Sequence, residues 1–277
     1  MTASLAVPSP CAKQPRAEGH VRLSSKLRDA TSVIDGLHQR GSLKLLFPRS
    51  RGTHLDAVLL NTAGGVTGGD RYDVALRAGS GTHISATTQA AERAYRAQPG
   101  EIGDVRTRVT IDGGARLDWV PQETILFDGS ALNRRFTADL TSDGQLLLVE
   151  PVVFGRHAMG ETLTAGQIRD RIDIRRDGEL VFADRTAMTG AMAALLARPG
   201  VAAGAGAMAT VIYVAADAGR FLDTLRAGMP ATGGVSLVRK GVLFARLLAP
   251  DSFTLRRHLI PLIETLSITS LPRTWTI

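Results

Sequence analysis

The sequence predicts a mainly β fold of stacked, layered antiparallel β-hairpin units, with about two short α-helices toward the C-terminus. Four segments share one layout: a strand of alternating apolar residues, a glycine-containing turn and a second alternating strand. Three of the turns contain Asp-Gly, at 112–113, 143–144 and 177–178, and Asp-Gly between alternating strands favours a hairpin. The units recur about every thirty residues, which favours a stacked all-β body over alternating strands and helices.

The predicted strands follow a proline-containing opening segment. Residues 1–19 contain three prolines and few apolar side chains, so we expect a flexible tail followed by a single β domain over 20–277. The alternating apolar positions are Tyr72, Val74 and Leu76 with Ile84 and Ala86; Val109 and Ile111 with Leu117 and Trp119; Phe136, Ala138 and Leu140 with Leu146 and Leu148; and Ile172 and Ile174 with Leu180 and Phe182. Each unit alone would expose its apolar face, so the units are expected to pack on one another.

Helix signals are few and lie mostly near the C-terminus. Asp217 is a candidate N-cap for a short helix. Asp251 or Ser252 is a candidate cap for a longer helix, which Pro261 should bend or interrupt. Residues 89–97 have helix-forming composition, but their position between strands leaves their structure open.

The charge of the chain is concentrated near its N-terminus. The net charge is +7, and residues 1–51 contain nine basic and three acidic residues. Such a segment can bind nucleic acid, anionic lipid or an acidic protein. Phe47 is its single aromatic residue and no nucleic-acid motif is present, so an acidic protein partner, or a role in solubility alone, is favoured.

The rest of the composition bounds the cellular setting. Cys11 is the single cysteine, which excludes an intramolecular disulfide framework and suits a reducing compartment. Neither a signal peptide nor a membrane span is recognisable. We therefore expect a cytoplasmic protein that does not associate with membranes.

A glycine-rich segment at 61–70 follows an apolar run and contains four glycines. Its G-x-x-x-x-G spacing resembles a phosphate-binding loop, but Asp70 and Arg71 stand where that loop needs Lys and Ser or Thr. An aspartate there would repel a nucleotide. The segment is therefore either a contact surface or a tight corner.

No catalytic constellation is visible in the sequence. The six histidines are scattered, and no G-x-S-x-G motif marks a nucleophile. Glu123, Glu150 and Glu161 lie among apolar residues, where a carboxylate needs a cation or donors. Three interpretations remain open: pairing with arginines such as Arg134, Arg135 or Arg156, a glycosidase-like pair of carboxylates, or a hydrated lining for a divalent metal.

Several blocks together resemble the urease accessory protein UreD (UreH) family. They are N-T-A-G-G-V-T-G-G-D at 61–70, T-T-Q-A-A-E-R-A-Y-R at 87–96, W-V-P-Q-E-T-I-L-F-D at 119–128, and E-P-V-V-F-G-R at 150–156 with M-G-E at 159–161. Shorter matches lie at 41–49 and 271–275, so the resemblance covers roughly residues 40–277.

The resemblance implies a non-enzymatic scaffold. Proteins of this family act with UreF and, through UreF, the GTPase UreG on the urease apoprotein, so that nickel enters its active site. The implied partner-binding or structural residues are Asn61, Thr62, Gly64, Gly65, Gly68, Gly69, Asp70, Thr88, Gln89, Tyr95, Pro121, Gln122, Phe127, Gly155, Arg156 and Gly160. The resemblance also implies a dimer formed through the accessory complex.

A channel for nickel is a further implication of the family. Its candidate lining residues here are Asp70, Glu123, Glu150 and Glu161, with Ni²⁺ bound only in transit and no tightly bound cofactor. Two other classes remain as alternatives: a β-scaffold hydrolase that uses two carboxylates, and a basic nucleic-acid-binding module at 1–51.

Overall fold

A computed structural model describes residues 14–50, 52–156 and 159–275, and its strands form two sheets packed face to face. The strands are β1 (Glu18–Arg28), β2 (Thr31–Gly41), β3 (Leu43–Leu46), β4 (Leu55–Asn61), β5 (Arg71–Ala78), β6 (His83–Thr88), β7 (Glu92–Ala94), β8 (Gly103–Ile111), β9 (Arg116–Trp119), β10 (Thr124–Leu126), β11 (Ala131–Leu140), β12 (Gln145–Phe154), β13 (Ala165–Arg176), β14 (Glu179–Ala191), β15 (Ala207–Val214), β16 (Gly233–Arg239) and β17 (Val242–Ala249). The helices are α1 (Met192–Ala197), α2 (Leu222–Gly228) and α3 (Ser252–Leu266), with short 3₁₀ helices at Ala218–Phe221 and Arg273–Trp275. The mainly β prediction, with short helices mostly toward the C-terminus, is confirmed.

Between β4 and β13 the chain passes repeatedly from one sheet to the other. The smaller sheet has seven strands in the order β14-β13-β11-β8-β5-β1-β2. The larger sheet has the order β16-β17-β15-β12-β9-β6-β4-β3, with β10 beside β12 and β7 beside β10. Strands β5, β8, β11 and β13 run parallel to one another, as do β4, β6, β9 and β12. The chain therefore coils from sheet to sheet, and the predicted stacking of units is confirmed.

Three of the four predicted hairpins are wrong in their pairing. The turns after β5, β8 and β11 carry the chain into the other sheet, so the two strands of each unit face each other across the core. A two-residue hairpin turn of type I′ needs positive φ at both central residues. Asp177 and Gly178 meet this requirement, with φ of 51° and 82°, and β13 and β14 form an antiparallel hairpin. Gly113 and Gly144 are not in this conformation, and their turns form corners instead.

The core has two layers, one on each face of the larger sheet. Leu146 and Leu148 of β12 point into the cluster between the sheets, whereas Leu147 and Val149 point into the cluster beneath α2 and α3. All four are fully buried, and each such side chain contributes about 1.5–3 kcal/mol relative to exposure. Strand β12 is thus the central element of the molecule.

The helix predictions have mixed outcomes. The Asp251 carboxylate accepts a hydrogen bond from the Thr254 amide at 2.7 Å and caps α3, as predicted. Pro261 lies inside α3 without interrupting it. Asp217 precedes a 3₁₀ helix but does not cap it, because its carboxylate accepts from the Tyr213 hydroxyl and pairs with Arg220. The segment 89–97 contains strand β7 and no helix.

The first described residues at the N-terminus contact the β domain. Residues 1–13, including Cys11, lie outside the described residues, while β1 already begins at Glu18. Ala17 donates its amide to Asp70 at 2.8 Å, and Arg16 forms an ion pair with Glu101. These two contacts hold the end of the predicted tail against the β domain.

Candidate functional site

The four longest sequence blocks meet at one end of the molecule. Because β4, β6, β9 and β12 are parallel, the segments that leave them share one edge of the larger sheet. Val66 bridges Ala94, β7 pairs with β10, and β10 pairs with the end of β12, all in parallel. The coil therefore stacks blocks that are distant in sequence into one surface.

The glycine-rich segment forms a tight corner within this surface. Asn61 donates its amide to the Gly65 carbonyl at 2.7 Å, and Tyr72 donates its hydroxyl to the same carbonyl at 3.0 Å. The Tyr95 hydroxyl donates to the Gly64 carbonyl at 3.0 Å. A Cβ on Gly65 would lie 2.3 Å from the Tyr95 ring, so only glycine fits there. Burial raises the pKa of Tyr72 to about 12, which keeps its hydroxyl protonated and able to donate.

The second half of the segment is held by Asp70. Its buried carboxylate accepts the amides of Ala17 and Thr67, each at 2.8 Å. A Cβ on Gly68 would approach the Glu101 Cβ to 2.6 Å, and Gly69 has a φ of 87°. Thr62 lies at the exposed start of the corner and donates its hydroxyl to the Ser42 carbonyl at 2.9 Å. These contacts favour the tight-corner interpretation for Asp70 and the glycines.

A cavity of about 290 Å³ opens beside this corner. Its lining includes Asn61, Gly64, Thr88, Gln89, Glu92 and Arg93. Burial raises the pKa of Glu92, although the Asn61 amide, at 3.2 Å, opposes the rise. Thr88 donates its hydroxyl to the Ala90 carbonyl and accepts the Gln122 amide, whereas Gln89 is exposed at the rim. The cavity thus lies where the first two blocks meet, and Thr88 links its wall to the third block.

An exposed arginine completes this surface. Arg156 lies over the Phe127 ring at 4.3 Å, and Tyr95 packs edge-on against the same ring at 5.0 Å. Glu161 accepts two hydrogen bonds from the Arg156 side chain, at 2.8 and 3.0 Å, which lower the pKa of the glutamate. Gly155 and Gly160 flank the pair with φ of 92° and 67°.

A largely buried polar cluster lies between the sheets next to the third block, where Arg134 donates to the Thr124 hydroxyl at 3.2 Å, and we call it the inner network. It consists of Trp119, Arg134, Glu150 and Asp170. Arg134 contacts Glu150 and Asp170 with separate nitrogens, each at 2.5 Å, and Trp119 donates its indole N–H to Glu150 at 3.0 Å. Burial raises the pKa of Glu150 to about 7 against the opposing charge of Arg134. The two carboxylates together raise the pKa of Arg134, so the guanidinium stays charged.

The polar row extends across the larger sheet. Glu150 lies opposite Thr210 on β15, and Thr210 lies opposite Arg246 on β17. Arg246 donates to the Thr210 hydroxyl at 3.1 Å and to Asp184 of the smaller sheet at 2.5 Å. Polar side chains therefore cross an otherwise apolar core in one line.

Glu123 belongs to a different cluster, which we call the helix-side network. It consists of Gln122, Glu123, Arg256 and Trp275, next to the buried Pro121. Arg256 of α3 donates to both Glu123 oxygens at 3.2 Å, to Gln122 at 2.9 Å and to the Trp275 carbonyl at 2.9 Å. The network ties the third block to α3 and to the C-terminal segment.

The four predicted channel carboxylates do not form one cluster. Asp70 binds backbone amides, while Glu123, Glu150 and Glu161 each pair with a different arginine. Within the described ranges, no group of three or more His, Cys, Asp or Glu side chains could hold a metal ion.

Sequence reasoning missed several residues of these networks. Asp170, Asp184 and Arg246 were not singled out, nor was Arg256. The alternation of the strands carries a signal for two network residues, because Arg134 and Asp170 occupy inward positions between Leu132 and Phe136 and between Ile168 and Ile172.

Comparison with known proteins identifies the family. The family model described as UreD urease accessory protein matches residues 17–276. The chain belongs to the UreD urease accessory protein family. Curated relatives bearing the name urease accessory protein UreD include those of Ruegeria pomeroyi, at 50% identity over 93% of this chain and 100% of the relative, and Roseobacter denitrificans, at 49% over 95% and 96%. The Rhizobium etli relative is 44% identical over 94% of this chain and 95% of its own length.

As a member of this family, the chain is a urease accessory protein of the UreD type. The resemblance found in the sequence blocks is thereby confirmed over nearly the whole domain. Among the described helices, none is long and apolar enough to cross a membrane.

Proposed function

We propose that this protein is a non-catalytic scaffold for nickel insertion into urease. It binds UreF, recruits the GTPase UreG through UreF, and holds the urease apoprotein while nickel is incorporated in a GTP-dependent step. The work takes place in the cytoplasm. Family membership carries this proposal, since the relatives that match almost the whole chain are named as urease accessory proteins.

The converging blocks supply the docking surface for a partner. The Tyr95, Phe127 and Arg156 side chains stack at the exposed edge of the larger sheet. Aromatic residues and arginine dominate the energetics of protein interfaces when a partner removes them from water. Because the glycine corner and the Asp70 contacts fix the backbone beneath them, these side chains are preorganised for binding.

The inner network supplies a path for nickel as cargo. Glu150 is the channel candidate that points between the sheets, and the polar row continues from it through Thr210 to Arg246. A carboxylate that is already paired with arginine binds a divalent cation weakly, as a transit site must. Asp70, Glu123 and Glu161 instead hold the backbone and neighbouring side chains that shape the surface.

The hydrolase alternative is disfavoured by the geometry of the carboxylates. A glycosidase needs two carboxyl groups that flank the bond of the substrate, about 5–9.5 Å apart. Glu150 and Asp170 instead share Arg134, whose guanidinium fills the space between them. Glycoside or ester turnover that disappears in Glu123→Gln would nevertheless favour this alternative.

The nucleic-acid alternative makes a separate prediction about salt. Binding by the basic segment 1–51 would weaken steeply with ionic strength and would need no urease partner. Of the seven basic residues at 14–50, β1 and β2 carry four, Arg22, Lys26, Arg28 and Arg40, on a sheet in which β1 pairs in parallel with β5.

The proposed function is tested by complementing cells that lack this gene but retain urease and its other accessory proteins. We expect the wild-type chain to restore nickel content and specific activity of purified urease, and to co-purify with UreF. Phe127→Ala/Arg156→Ala should lose co-purification and most of the nickel, whereas the matched surface variant Arg239→Ala should retain both. Fully nickel-loaded urease in cells without the chain would refute the proposal.

A further inference from the structure

The outward face of the smaller sheet carries four arginines in one cross-strand row. Arg106 of β8 lies opposite Arg135 of β11, Arg135 opposite Arg171 of β13, and Arg171 opposite Arg185 of β14. All four side chains are exposed. Neighbouring strands lie about 4.8 Å apart, so the row spans about 15 Å of the sheet surface. We call these four residues the arginine row.

The row is unfavourable for the isolated fold. Like charges directly opposite each other on adjacent strands repel. The outer members are partly neutralised, since Arg106 pairs with Asp104 at 2.6 Å and Arg185 with Asp173 at 2.5 Å. The inner members, Arg135 and Arg171, have no carboxylate within ion-pair distance among the described residues. Two adjacent cations are therefore left for an external anion.

The surface around Arg135 and Arg171 has the size and charge to bind small acidic groups. A depression of about 190 Å³ is lined by Asp104, Arg106, Asn133, Arg135, Arg169 and Arg171. This volume is below the about 300 Å³ at which pockets for drug-sized ligands begin, so it fits side chains better than a cofactor. Asn133 adds a polar side chain to this lining.

Two observations favour a protein over a nucleic acid as the partner. Single-stranded nucleic acid binds where aromatic side chains stack on the bases, and none of the outward-facing residues described on β8, β11, β13 and β14 is aromatic. Arginine, in contrast, matches the two oxygens of a carboxylate with parallel N–H donors. Adjacent arginines at the strand spacing suit carboxylates that are presented side by side.

We propose that the arginine row binds a carboxylate-rich segment of a partner protein. The segment crosses β8, β11, β13 and β14, with its carboxylates on Arg135 and Arg171 and its flanks near Arg106 and Arg185. This site lies on the smaller sheet, whereas the converging blocks lie at the edge of the larger one. The proposal therefore stands without any assumption about urease.

The test compares two double variants of equal charge change. Labelled octaglutamate peptide is titrated into the full chain, and binding is followed by fluorescence anisotropy at several salt concentrations. Arg135→Gln/Arg171→Gln should weaken binding by about tenfold or more. The control Arg22→Gln/Arg40→Gln, on β1 and β2 of the same sheet, should change it by less than about twofold.

Two further measurements decide the identity of the ligand and the role of geometry. Octathymidylate should bind more weakly than octaglutamate; tighter binding would overturn the proposal in favour of nucleic acid. The variant Arg135→Lys/Arg171→Lys preserves the charge and provides a second test if the glutamine variant does not fold. It should bind octaglutamate with intermediate affinity. Equal weakening by the control pair, or full affinity of the lysine pair, would also overturn the proposal.

Discussion

The inner network and the helix-side network each join an arginine to a buried glutamate, but their surroundings differ. In the helix-side network, Arg256 also donates to a backbone carbonyl and to Gln122, so one cation faces one carboxylate and neutral acceptors. In the inner network, Arg134 faces two carboxylates, and among the described residues no second cation forms an ion pair with either of them. The helix-side network holds chain segments together, whereas the inner network places two carboxyl groups around one guanidinium in the core.

This difference separates a structural role from a candidate functional one. Burial is costly for an unbalanced charge, so a network kept only for stability would be neutral or apolar. The raised pKa of Glu150, caused mainly by burial, indicates that the charged carboxylate of the inner network is destabilised by its surroundings. A site through which a cation passes is expected to have this character.

The largest expected effect comes from removing the inner cation. Arg134→Met leaves the buried Glu150 and the partly buried Asp170 without their partner, and we expect a loss of about 3–5 kcal/mol in the free energy of unfolding. Urea denaturation measures this loss. The triple variant Arg134→Met/Glu150→Gln/Asp170→Asn should recover at least half of it, because the uncompensated charges are gone. A single variant as stable as the wild type would show that the network is hydrated and unimportant for the fold.

A smaller effect is expected on the helix side. Arg256→Met removes the donor to Glu123, but the arginine side chain is 24% exposed and water replaces part of the contact. The expected loss is about 2 kcal/mol, with faster amide exchange at 270–275, because the link to Trp275 is broken. Arg257→Met, on the exposed side of the same helix, is the matched control. A loss as large as that of Arg134→Met would abolish the distinction between the networks.

The sequence predicted the strand positions and the spacing of the units but not how the strands pair. Asp-Gly occurs at three of the four unit turns, yet among these only Asp177 and Gly178 adopt the two positive φ values of a hairpin turn. Packing determines the conformation of the other two Asp-Gly turns, because placing the two strands of a unit on opposite sides of the core buries the apolar faces of both. The pairing of Glu150 with Arg134 is one of the interpretations that the sequence leaves open, and the alternation of β11 places Arg134 inward. The contact between Glu123 and Arg256 spans 133 residues, and no local pattern indicates it.

The pH dependence of the free energy of unfolding should distinguish the inner network from the helix-side network. The folded state raises the pKa of Glu150 from 4.5 to about 7, so between these values the folded chain binds more protons than the unfolded chain. The stabilisation is fully present below pH 4.5 and is lost as the pH rises through about 7. Denaturation of Glu150→Gln at pH 5, 6, 7 and 8 should show a shallower decline than the wild type. Parallel curves would contradict a titrating Glu150, and Glu123→Gln serves as the control.

The smallest and most specific effect concerns the two tryptophans. Trp119 donates to the Glu150 carboxylate at 3.0 Å, whereas Trp275 donates to the neutral Val120 carbonyl at 2.9 Å. Loss of either indole N–H costs about 1 kcal/mol. The Trp119 donor also lowers the pKa of Glu150, so Trp119→Phe should raise that pKa further and shift the decline in stability to higher pH. Trp275→Phe should lower stability equally at every pH. The double variant Trp119→Phe/Glu150→Gln should lose the shift, since the displaced titration requires the carboxylate; a shift that persists would place the titrating group outside the inner network.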